Sequence, residues 1–449
     1  MRRGARWALY GGIVAAVVGL SIYHSRVIAD PPYSYTGTFR FGWSLLYIAV
    51  LMVTAYGLGL PELPRTAGRA LVVSVVAAVS GAVVISVLQL LTGDALLPRF
   101  VVFGSAVLLV PWYLFCAALA VGGRQRAADR DRVLVVGSVE EVEALRRDLR
   151  RAPEFSAAIV GVMLPSGAGQ LEGKPASDGP LVARVVETGA TLVVLDRDAE
   201  ADDSIVEQAA ELHGRGVRVR SYSLFVDQWL GKVPLVELER VSLLFDVGEV
   251  HRARYGRVKR LMDLVIGLVA SLLLLVSVPF VAVGNLVGNR GPLLFRQQRV
   301  GKQGTTFSIL KFRTMRPRTD SGETAAGEWT RADDPRISAF GKVLRRTHLD
   351  ELPQAINIIR GDLSVVGPRP EQPHYVAELR SVLPFYDLRH LVRPGLTGWA
   401  QVKYPYGADE TDAREKLQYE FWYLRHQSLS LDLRITGRTI RSVLGGGGR

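Results

Sequence analysis

Four stretches, Trp7–Tyr23, Trp43–Leu60, Ala70–Leu91 and Phe100–Val121, contain no Asp, Glu, Lys or Arg. Each approaches the ~20 residues that a helix needs to cross the hydrocarbon of a bilayer. Backbone polar groups find no water there, so a chain entering lipid this way is restricted to helix. One such run alone would read as a buried core helix or a cleaved signal peptide. Four in close series argue against both. Four membrane helices are therefore predicted over residues 1–123. Arg2, Arg3 and Arg6 precede the first run, Arg65 and Arg69 separate the second from the third, and Arg124, Arg126, Arg130 and Arg132 follow the fourth. The remaining loops carry Arg26 with Arg40, and Arg99. The excess of basic residues places both ends of the bundle in the cytoplasm.

Residues 124–250 follow a different rule. Apolar segments at Arg132–Ser138, Ala158–Leu164, Thr191–Leu195 and Val217–Tyr222 alternate with helical patterns at Glu140–Arg151, Leu181–Thr188 and Ile205–Arg215. Alternation of this kind means a parallel sheet with helical crossovers. The first turn, Gly137-Ser138-Val139-Glu140-Glu141, has one glycine where a dinucleotide fingerprint needs three. Its two glutamates would repel a pyrophosphate. The domain reads as a degenerate, CoA-binding-like Rossmann module with a structural or regulatory role. Tyr255 and Lys259 match the short Tyr-x-x-x-Lys dehydrogenase pattern, which occurs often by chance.

A fifth apolar run, Leu261–Val287, is long enough to span. Its flanks are basic on both sides, with Arg252, Arg254, Arg257, Lys259 and Arg260 before it and Arg290, Arg296 and Arg299 after it. Both ends therefore favour the cytoplasm, and Pro279 lies inside, where it can break a helix. A kinked segment entering and leaving on one face is predicted. Asp263 is expected to stay at the interface, since mid-depth burial of a charge is costly.

The last third carries the chemistry. Arg345-Arg346-Thr347-His348-Leu349-Asp350-Glu351-Leu352-Pro353-Gln354 puts two acids at the start of a helix, because Pro353 is tolerated only in a first turn. The helix runs from Gln354 to Arg360 and stops at Gly361. A helix N-terminus keeps a carboxylate ionised and attracts phosphate. Adjacent acids do not face each other, so one can attack phosphorus while the other holds a metal. Basic and loop residues cluster around them in Phe295–Gly301, Leu310–Met315, Asp333–Ile337, Gly361–Pro370 and Val392–Gln401. The net charge of +12 suits a phosphorylated or anionic lipid partner, although nucleic acid attracts the same balance. The single cysteine, Cys116, rules out a disulfide framework and a thiolate metal site.

Lys311-Phe312-Arg313-Thr314-Met315, Asp350-Glu351-Leu352-Pro353-Gln354, Gly367-Pro368-Arg369-Pro370 and Arg393-Pro394-Gly395-Leu396-Thr397-Gly398 resemble the signature run of the polyprenyl-phosphate sugar-1-phosphate transferases, the bacterial sugar transferase family. The resemblance begins near Lys259 and continues to the C-terminus. The whole arrangement is similar to the family's long form, and Tyr404–Ala408 with Asp412–Tyr419 resembles its exosortase-associated branch. The fold class implied is a membrane α-helical bundle plus α/β. It comprises four N-terminal membrane helices (1–123), the degenerate Rossmann-like domain (124–250), and a re-entrant helix with a compact, mostly helical catalytic domain (251–449). The family's Ser-Pro helix break is not matched, since Val278 separates Ser277 from Pro279.

The resemblance implies that Asp350 is the nucleophile and that Glu351 binds Mg²⁺. Lys311, Arg313, Arg346 and Arg369 are the implied phosphate contacts, with Arg345 an alternative to Arg346. Asp362 would orient one of these cations or reach the metal's surroundings. The implied substrates are a UDP-sugar, with UDP-glucose or UDP-galactose the first guess, and undecaprenyl phosphate. The implied place is the cytoplasmic face of the bacterial inner membrane, with no nucleic-acid partner and room for a homodimer. The amphipathic run Ala413–His426, with Trp422 and Tyr423, would either lie on the membrane or pack into a core. A non-enzymatic scaffold for polysaccharide assembly is the alternative function. A nucleotide-sugar dehydratase or epimerase is disfavoured by the missing glycines.

Overall fold

The computed structural model describes residues 2–61, 67–92, 97–122, 131–151, 157–170, 175–235, 252–289, 291–315, 336–404 and 410–444. Arg65, Arg124, Arg126, Arg130, Arg290, the Asp333-Asp334-Pro335 stretch and Pro405–Ala408 lie outside them. The chain divides into two units. One comprises residues 1–125, 250–402 and 426–449; the other comprises 126–249 and 403–425.

In the first unit, α1 (Arg2–Tyr23), α2 (Phe39–Gly57), α3 (Ala67–Thr92) and α4 (Arg99–Gly122) pack side by side. Leu9, Ile13 and Val17 recur every four residues along α1 and meet Tyr47, Leu51, Leu109 and Tyr113 in one core. The Trp112 indole donates to the Ala8 carbonyl (3.1 Å) and the Tyr47 hydroxyl to that of Val102 (3.0 Å). The outward faces are also apolar, with Trp7, Leu46, Val53, Val79 and Val107 exposed. A helix apolar on every side suits lipid rather than water. Among the described residues, five helices are long and apolar enough to cross a membrane, these four and Tyr255–Gly288.

The second unit is built on a four-stranded parallel sheet. Its strands are β1 (Asp131–Val136), β2 (Ala157–Met163), β3 (Leu192–Leu195) and β4 (Arg218–Ser221), in the order β2-β1-β3-β4. The crossovers are α5 (Val139–Arg151), α6 (Pro180–Thr188) and α7 (Asp203–Gly214). These elements fall where the alternating pattern places them. At the N-terminus of α5, where a nucleotide-binding domain receives phosphate, the chain supplies its own anion. The Asp196 carboxylate accepts from Ser138 N (3.0 Å) and Ala199 N (2.7 Å). Burial and the Asp196 charge push the Glu141 carboxyl up, so a further anion is disfavoured there.

Residues 403–425 group with this sheet domain. Lys232, 5% exposed, ion-pairs with Asp148 (2.6 Å) and with Glu415 (3.1 Å) of the helix Glu410–Arg425. Phe421, Tyr423 and Leu424 are buried, and the Trp422 indole donates to the Asp227 carbonyl (2.9 Å). Of the two readings of this run, core packing is the one observed.

Back in the first unit, α8 (Arg252–Gly288) is one uninterrupted helix of 37 residues. Pro279 lies inside it, where its ring removes one backbone hydrogen bond and favours a bend. A long apolar helix tolerates the one hydrogen bond that proline removes. Polar bonds tie α8 to the C-terminal region at both ends. Arg260 donates to the carbonyls of Ile358 and Ile359 (2.6 Å each), and Asn289, just past the helix, donates to that of Arg313 (2.7 Å). Between them Leu274 and Val281 pack with Phe312 and Leu344. Asp263 is buried, accepting from the Ser364 hydroxyl and Val365 N (2.9 Å each), so protein donors meet its charge. Tyr255 and Lys259 both bind Asp432, at 2.6 and 2.7 Å, which gives the Tyr-x-x-x-Lys pair a structural task. Asp432 belongs to the C-terminal helix Leu429–Leu444. That helix crosses α2 in backbone contact. A Cβ on Gly437 would sit 1.9 Å from the Gly57 carbonyl oxygen, so only glycine allows the crossing.

Candidate active site

The acid pair stands on a single 3₁₀ turn, Leu349–Glu351, between α9 (Ala339–Arg346) and α10 (Gln354–Arg360). Pro353 precedes the first residue of α10, and Gly361 closes that helix at φ 94°, as read from the sequence. His348, at φ 54°, takes the left-handed conformation that swings the chain from α9 into the acid turn. Opposite lies the antiparallel hairpin of β5 (Leu294–Val300) and β6 (Thr306–Phe312), with Lys311 next to its last residue.

The two acids occupy different environments. Asp350 is 9% exposed. Burial, joined by the Glu351 charge, pushes its carboxyl up to about 6, against the opposing pull of Lys311, Arg345 and His348. For Glu351, burial also pushes upward. Lys311, bonded at 2.7 Å, together with Arg369 and His348, outweighs it and holds the carboxyl down at about 2. The pair therefore titrates in two separated steps. Between them the site holds one firmly ionised carboxylate and one close to its switching point.

The structure brings Asp350, Lys311 and Arg369 within electrostatic reach of Glu351. Of the basic pair, Arg345 bears on Asp350 and is fixed by its Nε donating to the Thr314 hydroxyl (3.0 Å), while Arg346 is exposed. Arg313 is buried and its guanidinium reaches the carbonyl of Asn289, at the exit of α8. Its Nε and Nη1 have no hydrogen-bond partner among the described residues. Asp362 accepts from the Asn357 amide (3.2 Å).

Asn357 was not singled out in the sequence. It is fully buried, accepts from Leu310 N (3.1 Å) and donates to Ser308 O (2.9 Å). It therefore bolts β6, and with it Lys311, to the helix behind the acids. A poor helix former inside the apolar run Gln354–Arg360 was the available signal. His348 also escaped, because a left-handed histidine has no sequence mark beyond its place before the acids.

Two glycine-containing loops pair with each other and lead to Arg369. β7 (Ser364–Val366) and β8 (Gly395–Thr397) run parallel, and a Cβ on Gly395 would lie 2.1 Å from Gly367 N. The Gly-Pro-Arg-Pro and Arg-Pro-Gly-Leu-Thr-Gly motifs are thus two halves of one structure, which Arg369 crowns.

Among the described residues no three His, Cys, Asp or Glu side chains converge into a metal cage. Mg²⁺ does not require one, since it keeps several waters and binds through one or two carboxylates plus substrate phosphates. Glu351, held ionised and 25% exposed at its side chain, is a hard oxygen donor of the kind that fits.

Residues 254–446 match the family described as bacterial sugar transferase. A UDP-N-acetylgalactosamine-undecaprenyl-phosphate N-acetylgalactosaminephosphotransferase of Aeromonas hydrophila is 41% identical over 194 residues, 43% of this chain and 45% of that protein. The chain thus matches less than half of that relative's length. A UDP-glucose:undecaprenyl-phosphate glucose-1-phosphate transferase of Xanthomonas campestris pv. campestris is 32% identical over 339 residues, 72% of this chain and 68% of that protein. The exopolysaccharide production protein PSS of Rhizobium leguminosarum bv. phaseoli is 37% identical over 191 residues, 41% of this chain but 94% of that protein. About two fifths of this chain thus corresponds to nearly all of one relative, and a second is matched through two thirds of its length. On that likeness, this chain belongs to the bacterial sugar transferase family.

Proposed function

We propose that the chain transfers a sugar 1-phosphate from a UDP-sugar to undecaprenyl phosphate, as the first step of a surface glycan such as an exopolysaccharide. The observation that carries this reading is the unequal acid pair: a buried carboxyl poised at about 6 beside one pinned at about 2. An Asp350 oxygen attacks the β-phosphorus of the donor, and the bond from that phosphorus to the bridging oxygen breaks. UMP departs with the bridging electrons, leaving the sugar phosphate on Asp350 as an acyl phosphate. A phosphate oxygen of the lipid then attacks the same phosphorus, releasing undecaprenyl-diphosphate sugar and restoring the carboxylate. Lys311, Arg345 and Arg369 offset the charge that gathers on the phosphoryl oxygens. Glu351 would hold Mg²⁺, which when bound offsets charge on the diphosphate.

The membrane arrangement supports the same reading. Arg260 and Asn289 lie ~44 Å apart along α8 and its end, at 1.5 Å per residue. Both are bonded to the acid-bearing region. A straight crossing would drag that region through ~30 Å of hydrocarbon, so we place both ends of α8 on one membrane face. The C-terminal helix meets α2 at Gly57, the end that the basic residues assign to the cytoplasm. A site there meets a cytosolic nucleotide sugar and a lipid headgroup together.

The test is to incubate the full chain with undecaprenyl phosphate, Mg²⁺ and a panel of labelled UDP-sugars, then extract the lipid. UDP-glucose, UDP-galactose and UDP-N-acetylgalactosamine lead the panel, two of them being donors named for relatives. Label in the lipid with stoichiometric UMP is expected; no label from any donor would sink the proposal. The rate should fall tenfold per pH unit below about 6, because Asp350 must lose its proton to attack. Glu351 adds no limb in that range. A flat profile from pH 7 to 5 would contradict the assignment.

A further inference from the structure

Four successive carbonyls of the loop 368–371 each receive a donor. Pro368 O accepts from Gly395 N (2.8 Å) and Glu371 O from Val300 N (2.9 Å). The two between them are met by arginine side chains. Arg389 Nη2 donates to Arg369 O (2.9 Å), and Arg299 Nη1 donates to Pro370 O (3.0 Å). Pro368 and Pro370 fix φ on either side of Arg369. The backbone of Arg369 is thus set from both flanks and from its own carbonyl.

The two arginines are themselves immobilised. Arg389 is 4% exposed, donates to the Tyr386 hydroxyl (3.1 Å) and lies over that ring at 5.0 Å. Arg299 donates to Gln297 Oε1 (2.7 Å) and faces Glu371 at 3.7 Å. Burying a guanidinium to satisfy a carbonyl is a costly choice when a neutral donor would serve. The feature these two share is the loop that carries Arg369, whose charge acts on Glu351.

We propose that Arg299 and Arg389 are positioning residues, clamping the Pro-Arg-Pro loop so that the Arg369 guanidinium is held at the donor diphosphate. This rests on the reading of Arg369 as a phosphate contact. A reacting group displaced by 1 Å can lose about 100-fold in rate.

The experiment is a double-mutant cycle on the full chain, following UMP release. Arg389→Met and Arg299→Met are made alone and each with Arg369→Ala. Each single clamp variant is expected to lose about 10- to 100-fold in kcat. In the Arg369→Ala background the same substitutions should change kcat less than about twofold, since the residue they position is gone. Equal losses in both backgrounds, or no loss in the first, would overturn the clamp. Full activity in Arg369→Ala alone would instead overturn the reading of Arg369. If a methionine variant does not accumulate, the lysine variant is read the same way, with partial activity expected from its retained donor.

Discussion

Asparagine in place of Asp350 is expected to abolish transfer and, at the same time, to stabilise the fold. Loss of the nucleophile removes the covalent route, and removal of such a group typically costs 10⁴-fold or more. The stability gain follows from the electrostatics. Burial and the neighbouring Glu351 raise the Asp350 carboxyl from 3.8 to about 6, a disfavoured ionisation of roughly 3 kcal/mol at neutral pH. Asparagine carries no charge to bury. The sign fixes a pH dependence. The penalty is full above about pH 6, where folded Asp350 is ionised. It fades as pH falls through 6 and vanishes below about 3.8, where the unfolded chain is protonated too. Thermal melts in detergent should therefore show the variant above the wild type at pH 7.5, and the gap should narrow by pH 5. Variant and wild type melting together at pH 7.5 would contradict the raised carboxyl. Transfer above about a hundredth of wild type would contradict its role.

Much of this site was legible because its motifs are local. The turn of Asp350 and Glu351, the helix Gln354–Arg360 and its stop at Gly361 follow from Pro353 and Gly361 alone. The parallel sheet was legible because its strands are buried apolar runs. What escaped depends on tertiary contact. Arg345 and Arg346 are neighbours, and only the bond from Arg345 to Thr314, 31 positions away, separates their roles. Arg313 shares a motif with Lys311 yet reaches back to Asn289. Asp263 looked costly beside an apolar run because its donors, Ser364 and Val365, lie a hundred residues on. The run 410–425 carries no mark of the lysine at 232 that receives it. Pattern identifies an element and its faces; it does not name the partner.

Methionine at Lys311 should be the second most damaging change, and its signature differs from that of Asp350→Asn. Glu351 would lose the cation bonded to it at 2.7 Å, leaving burial, the largest single influence on it, opposed only by Arg369 and His348. Its carboxyl must rise from about 2. The pair is only partly covered, with 23% and 25% of the side chains exposed. The lost stability is therefore on the order of 1–3 kcal/mol, below that of a fully buried pair. Lys311 also pulls the Asp350 carboxyl down, so its removal lets that group rise further and moves the acid limb of the rate above pH 6. A fall in kcat of about 100-fold or more at neutral pH, with a displaced limb, is expected. Adding Glu351→Gln should restore much of the stability, since no bare charge remains, and should leave transfer low. If Lys311→Met instead raised KM alone and left kcat and the pH limb in place, Lys311 would bind the donor without assisting the step. The unequal pair would then be set by burial and the remaining cations, with no direct part for the lysine in the displacement.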